Sequence, residues 1–317
     1  MAEYTSVFGC EMMDYLNYQR RIGRDVRGYI TIFNQLDHFL SSEKIVEKRI
    51  SKTLAEQFAD SFSVRPICLY TYLSHYNLFA KYLNSIGYYA FELELPKYQS
   101  DYTPYIFSDE EMKRIFYAAD NYSSKKCPLY SVQLPVLIRI LYGCGTRVTE
   151  TLCLKVRDMD LNAGVMNLRH TKNNRQRFVP MDSSLSSICD RFIKARNLKN
   201  DNYLFYMQND QTRWTTYSAD SCFAQILKAA NIVFVREKPN DRGPCLHSLR
   251  HTFVINSLKQ SEKAGRIFED TVPFLSTYLG HAGIRETDKY LRFCYELYDE
   301  AVDKIETYTA SLFPEVN

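Results

Sequence analysis

Apolar residues recur at three- and four-residue spacing in Val26 to Leu40, Leu54 to Phe62 and Cys68 to Ile86. That is the period of helices that bury one face, so the stretch from about residue 10 to 87 is predicted to be a succession of helices. Between Phe91 and Tyr105 the period is lost, and Pro96 and Pro104 stand among polar and aromatic residues, poor material for a continuing helix. An interdomain linker is placed there, dividing the chain into residues 1–103 and 104–317.

Beyond the linker, Ser108 with Glu111 three residues on has the spacing of a capping box and introduces a helix through Ala119. Leu134 to Cys144 is a strongly apolar helix reaching Gly143 and Gly145, and Val148 to Leu154 reads as another, with Arg147 at their junction. From Val165 to Met181 the period becomes two, interrupted by Lys172-Asn173-Asn174-Arg175-Gln176, which predicts a β-hairpin with a basic turn. Helical signals return in Ser218 to Ala230, Leu246 to Leu258, Val272 to Leu279 and an amphipathic stretch from Tyr295 to Ile305. The polar residues from Gln260 to Asp270 read as an elaborated loop. No internal repeat is found. The expected fold class is mainly α with a small β-sheet: an all-helical first domain and an α+β second domain.

Composition narrows the class without naming a function. With 45% hydrophobic and 24% charged residues, 11 Gly and 10 Pro, the chain is a folded globular protein, neither fibrous nor disordered. Its net charge of +3, from 40 basic and 37 acidic residues, neither demands nor excludes nucleic acid, because binding depends on where cations cluster. Nine cysteines at irregular wide spacing, with no C-x-x-C pair, indicate reduced thiols and a cytoplasmic setting. Met1 is followed by Ala2, Glu3 and Tyr4, and no run of about 18 apolar residues occurs, so neither secretion nor a membrane span is expected.

Candidate chemistry sits in four separated segments beside turns: Gly145-Thr146-Arg147-Val148-Thr149-Glu150, Thr171-Lys172, His247-Ser248-Leu249-Arg250-His251 and Leu279-Gly280-His281, with Tyr290 nine residues beyond His281. Each alone is weak. Cys245 lies near His247 and His251, but no second Cys or His pair has zinc spacing, and no metal or other cofactor is expected. His38, His75 and His251 receive no chemical role.

Taken in order, the segments resemble the tyrosine recombinase, or phage integrase, family, whose signature is Arg, Lys, His-x-x-Arg, a Leu-Gly-His segment and then a nucleophilic Tyr. The resemblance is good from Ser108 to Leu291 and looser before that. It implies a helical core-binding domain over 1–103 and a tyrosine-recombinase catalytic domain over 104–317, closing on DNA as a C-shaped clamp. It also implies site-specific cleavage and rejoining through a 3′-phosphotyrosyl intermediate, without ATP, in the service of a mobile element. Opening a phosphodiester without a metal requires stabilising the extra charge on phosphorus, and the paired donors of Arg147 and Arg250 suit its nonbridging oxygens.

A tyrosine with a free pKa near 10 needs activation. The resemblance implies Tyr290 as nucleophile, His247 as its base, Lys172 as the acid protonating the leaving oxygen, and His281 as a phosphate contact. Lys172 competes for its role with Arg175 and Arg177 in the same hairpin, and His247 could instead cap its helix. Glu150 is expected to brace Arg147 across a helical turn. Arg169, Arg175, Arg177, Arg236 and Arg242 are the candidate DNA contacts.

The expected partners are double-stranded recombination sites and further copies of the chain in a synaptic tetramer. The segment 295–317 would dock on a neighbouring subunit or pack on its own domain. On DNA the protein would be nucleoid-associated. Two rivals stay open, a type IB topoisomerase-like activity and a DNA-binding protein that keeps the fold without the chemistry.

Overall fold

The computed structural model describes residues 4–97, 104–124, 127–169, 176–207, 212–236 and 243–280. The chain divides into two compact units, Met1–Asp101 and Tyr102–Asn317. Among the described residues no helix is long and apolar enough to cross a membrane.

The first unit packs four helices, α1 (Gly9–Arg21), α2 (Arg27–Ser42), α3 (Lys52–Asp60) and α4 (Pro66–Ser85). A two-residue strand, β1 (Arg49–Ile50), pairs in parallel with β2 (Tyr89–Ala90). The stripe Tyr29, Ile32, Phe33, Leu36 and Leu40 is buried along α2, as its spacing requires. Local chemistry sets the helix ends. Ser51 Oγ accepts the Leu54 N–H at 3.2 Å to cap α3, and Pro66 opens α4, where its missing N–H costs nothing. Aromatic rings dominate the core, with Tyr15 in contact with Tyr29, Phe33, Phe79 and Tyr82. Such rings contribute large buried area and prefer the edge-on and tilted geometries seen here.

In the second unit, α5 (Asp109–Asp120) begins with the full capping box between Ser108 and Glu111. It is followed by α6 (Pro128–Cys144), α7 (Val148–Leu152), β3 (Met159–Asp160), β4 (Val165–Leu168), β5 (Arg177–Pro180), α8 (Ser183–Ala195), α9 (Thr216–Ala229), α10 (Leu246–Lys263) and α11 (Phe268–Leu279). The hairpin β4–β5 is antiparallel in the register Val165 to Pro180 and Leu168 to Arg177, and β3 adds a third strand on the far side of β4. Helix α6 is the hub: Leu134, Leu137, Ile138, Ile140 and Leu141 are fully buried, and α5, α8, α9 and α10 all pack on it. Its one buried amide, Gln133, exchanges two hydrogen bonds with the Tyr206 backbone, so both ends of that amide are satisfied.

Three expectations need correction. The polar stretch from Gln260 is not a loop. Its Gln, Ser, Glu and Lys side chains are compatible with a helix, α10 continues through Lys263, and only residues 264–267 separate it from α11, with Gly265 at φ +74° making the turn. Helix α6 starts at Pro128 and carries Pro135 inside it, so tertiary burial overrides a local breaker. Helix α8 had no counterpart in the reading of the sequence. Both of its signals, the Asp182 cap on the Ser184 N–H and the stripe Leu185, Cys189, Phe192 and Ile193 at helical spacing, were present in the sequence.

Candidate active site

The site is built at the end of α6. That helix stops at Gly145, which adopts the left-handed conformation at φ +57°, and a side chain there would also collide with the Phe253 ring. The reversal presents Arg147 immediately before α7. Three residues on, Glu150 turns its carboxylate back, accepting the Arg147 backbone N–H at 3.0 Å and Arg147 Nη1 at 2.9 Å.

Glu150 is also gripped from the sheet. Arg177, the first residue of β5, donates from Nη1 to Oε1 at 3.0 Å and from Nη2 to Oε2 at 2.7 Å. The Glu150 side chain is 1% exposed, against 15% for Arg147 and 12% for Arg177. Burial alone would raise the carboxyl pKa, but the bonds and charges of Arg177 and Arg147 outweigh it and hold the group below its ordinary value. Glu150 therefore stays ionised.

Arg250 rises from the start of α10 and is 2% exposed. Its Nη1 donates to the Gly145 carbonyl at 2.7 Å and its Nη2 to the Leu279 carbonyl at 3.0 Å. Arg147 reaches the same place, with Nη1 3.5 Å from the Leu279 carbonyl and Nη2 3.4 Å from that of Gly280. The last carbonyls of a helix have no partners within it and carry partial negative charge, so the C-terminal turn of α11 is held by two guanidiniums from distant parts of the chain. Gly280, at φ +65°, lies so close to Arg177 that an added Cβ would be 3.0 Å from Nη1. Three arginines thus surround one buried carboxylate and one helix end, leaving excess positive charge.

His247 lies in the first turn of α10 with an exposed side chain, and its ring meets that of buried His251 edge-on at 4.6 Å. Crowding by protein and then the charges of Arg250 and Arg147 lower the His247 pKa to about 4. Water at the exposed edge tempers that shift, yet its direction, toward neutral imidazole, follows from both causes. His251 is lowered to about 3, by burial first and then by His247 and Arg250. His247 is not a helix cap: α10 begins at Leu246, and Ser248 Oγ accepts the N–H of Cys245 at 3.1 Å.

The structure thus brings together Arg147, Glu150, Arg250 and the turn leading to residue 281. Lys172, Arg175, Arg242, His281, Tyr290 and the segment 295–317 lie outside the described residues. Of the expected DNA contacts, Arg236 is exposed, while Arg169 is 45% exposed and pairs with Asp158 at 2.7 Å. Arg177, expected to meet phosphate, is instead committed to Glu150. Its place in the site was not read from the sequence. The available signal was its position at the foot of the hairpin carrying Lys172. Among the described residues no group of three or more His, Cys, Asp or Glu side chains is placed to hold a metal ion.

A family model described as the phage integrase family matches residues 106–296. A protein of Sinorhizobium fredii named as an integrase/recombinase, y4rB, is 30% identical over 210 residues, covering 64% of this chain and 66% of the relative. The match thus spans just under two thirds of that relative's length. The structure is similar to that of the XerH site-specific recombinase bound to its palindromic difH substrate, with a TM-score of 0.67, 18% identity and coverage of 89% of this chain and 80% of that one. It is also similar to the Tn1549 transposon integrase in complex with a circular intermediate DNA, with a TM-score of 0.62, 17% identity and coverage of 88% and 94%. At these identities the likeness establishes the fold, a mainly helical tyrosine-recombinase catalytic fold with small sheets.

Proposed function

Because the chain belongs to the phage integrase family, we propose that it is a tyrosine-type site-specific recombinase that cuts and rejoins double-stranded DNA for a mobile element. The observation that carries the reading is the meeting of Arg147 and Arg250 on one carbonyl, that of Leu279. Two planar donor forks from distant segments aimed at one point form an anion receptor. Its other wall leads directly to His281 in sequence. Arg250 and Arg147 would stabilise the charge that develops on the nonbridging oxygens of a five-coordinate phosphorus, an electrostatic contribution that requires little rearrangement when the donors are already fixed.

In this mechanism Tyr290 Oη attacks phosphorus and its proton passes to His247. The neutral state favoured for that imidazole at pH 7 suits it to accept one. The bond to the 5′ oxygen breaks as Lys172 protonates it, leaving a 3′-phosphotyrosyl link and a free 5′ hydroxyl. The link retains the energy of the phosphodiester, so a 5′ hydroxyl from a partner strand can attack it and release Tyr290 without ATP. His281 would bond the phosphate.

Residues 1–103 would be the core-binding domain and 104–317 the catalytic domain. Arg169, Arg175, Arg236 and Arg242 would meet the backbone. The segment 295–317 would dock between copies in a synaptic tetramer. A role in a mobile element draws support from the transposon integrase among the structural neighbours.

Incubation with nicked duplex from the ends of the DNA element that encodes the protein should give an SDS-resistant protein–DNA adduct, absent from Tyr290→Phe. An adduct that persists in that variant would move the nucleophile elsewhere. Binding without any adduct from the unaltered chain would favour a noncatalytic DNA-binding protein.

A further inference from the structure

Arg177 stands apart from the other basic residues near the site. Its guanidinium spends both terminal nitrogens on Glu150, it is 12% exposed, and its buried Nε has no hydrogen-bond partner among the described residues. Where Arg250 rests on neutral carbonyls, Arg177 already holds a full negative charge, so a phosphate would have to displace a carboxylate to reach it. Nor does stability alone account for it, because burying an ion pair with a donor left unmade is at best neutral compared with packed apolar side chains.

What Arg177 does touch is specific. Glu150 has two carboxylate oxygens, and each is shared. Oε1 accepts from both Arg177 and Arg147 Nη1, and Oε2 accepts from Arg177 and from the Arg147 backbone N–H. The carboxylate is thus the middle of a bridge, Arg177–Glu150–Arg147, that runs from the foot of the β4–β5 hairpin to the arginine after α6. On its other side Arg177 packs against Gly280, where any Cβ would crowd its Nη1 and Cζ. Arg147 Nη2 points to the carbonyl of that same glycine. A single guanidinium therefore sets the carboxylate that orients Arg147 and the clearance of the turn at the end of α11.

We propose that Arg177 is a positioning residue for phosphate activation: acting through Glu150, it fixes the Arg147 fork in the direction in which a scissile phosphate must be met. It also makes that direction depend on the hairpin being seated. The proposal rests on the recombinase reading above, but its structural half concerns Arg147 alone. With Arg177 removed, Glu150 keeps its charge and loses two of its bonds. The carboxylate is then free to follow Arg147 rather than to hold it, and a fork misdirected by about 1 Å is enough to reduce reaction by roughly 100-fold.

The test compares the full chain with Arg177→Met, Arg177→Lys, Glu150→Gln and the Glu150→Gln/Arg177→Met double variant, on nicked suicide duplex at saturating protein. For Arg177→Met the single-turnover rate of adduct formation should fall about 100-fold, with the dissociation constant for DNA within about threefold and its salt dependence unchanged. Arg177→Lys, which keeps the charge but cannot span both oxygens, should regain about tenfold. The double variant should be no slower than the slower single one, as expected of groups acting in series.

A phosphate-contact role gives the opposite result: weaker DNA binding, a salt slope smaller by about one, and an unchanged rate at saturation. That result would overturn the proposal, as would multiplicative losses in the double variant. Equal losses in Arg177→Met and Arg177→Lys that follow their melting temperatures would reduce Arg177 to a structural role. If Arg177→Met does not fold, the double variant, which removes both charges together, and Arg177→Lys carry the comparison.

A second readout needs no reaction. In protein labelled with 15N-arginine, the Arg147 side-chain signals, identified by their loss in Arg147→Lys, should shift or broaden in Arg177→Lys while those of Arg250 stay put. Unmoved Arg147 signals would refute the positioning even if no adduct is ever found. A missing adduct from the unaltered chain, with Arg147 signals that do respond, would instead refute only the recombinase reading.

Discussion

At the scale of single residues, protons and guanidinium forks decide what the site can do. His251 is buried and its pKa is lowered to about 3, against about 6.5 in an unfolded chain. Between those values the unfolded state binds more protons, so stability falls as pH drops through 6.5 toward 3, at up to about 1.4 kcal/mol per pH unit. The loss should reach about 2 kcal/mol by pH 5, before carboxylates contribute. Glu150, held below its ordinary value, adds a separate loss only at lower pH. Thermal unfolding between pH 7 and 5 should show the decline, and His251→Gln should make it shallower, the remainder belonging to His247, which is lowered in the same direction; an equally steep variant would assign the whole effect to another group. Arg250 offers a second case. Arg250→Lys keeps the charge but cannot donate to the Gly145 and Leu279 carbonyls together as the fork does. Adduct formation should drop by about 100-fold or more, and near-normal rates in that variant would show that charge alone suffices.

At the scale of elements, the hinge between α6 and α7 is the most exacting. Gly145 combines a left-handed backbone with the Phe253 ring against its α-carbon. Gly145→Ala should therefore cost about 2–4 kcal/mol, the sum of backbone strain and overpacking. The second unit should melt lower by roughly 10 °C. Gly265 is the control: its φ is also positive, but nothing lies within 4 Å of where a Cβ would stand, so Gly265→Ala should show only the strain, about 1–2 kcal/mol. Equal losses at both positions would mean that Phe253 moves aside. Much of this level could be read in the sequence. The capping box at Ser108, the period-two hairpin and the stripes of α2, α3 and α4 are local patterns, and local patterns survive folding. Pro135 inside α6 could not be read, because burial of that helix decides it, whereas the stripe of α8 and the helix-compatible residues to Lys263 were open to reading.

For the whole molecule, local pattern gives less. Motif order in the sequence pointed to Arg147 and Arg250, but their meeting on the Leu279 carbonyl belongs to three helices folded together. Arg177 looked like one more cation in a basic hairpin until burial showed which anion it serves. A net charge of +3 likewise conceals how the cations are distributed. If the chain grips a duplex through six or more phosphates, affinity should fall about 1000-fold between 50 and 200 mM salt. A filter-binding series that stays flat over that range would show that the exposed arginines, Arg169 and Arg236 among them, do not carry the binding.

The clasp on the end of α11 has a last consequence. The two forks that would receive a phosphate rest on peptide oxygens, those of Leu279, Gly280 and Gly145. On the proposed reading those carbonyls would be a surrogate for the substrate, weak neutral acceptors standing in for a strong charged one. Side-chain order is secured before any ligand arrives, and a phosphate need only outcompete a carbonyl, which a full negative charge does readily. Small neutral solutes cannot. On the proposed reading, the receptor would be held in place by these carbonyls and would exchange one oxygen for another on meeting DNA.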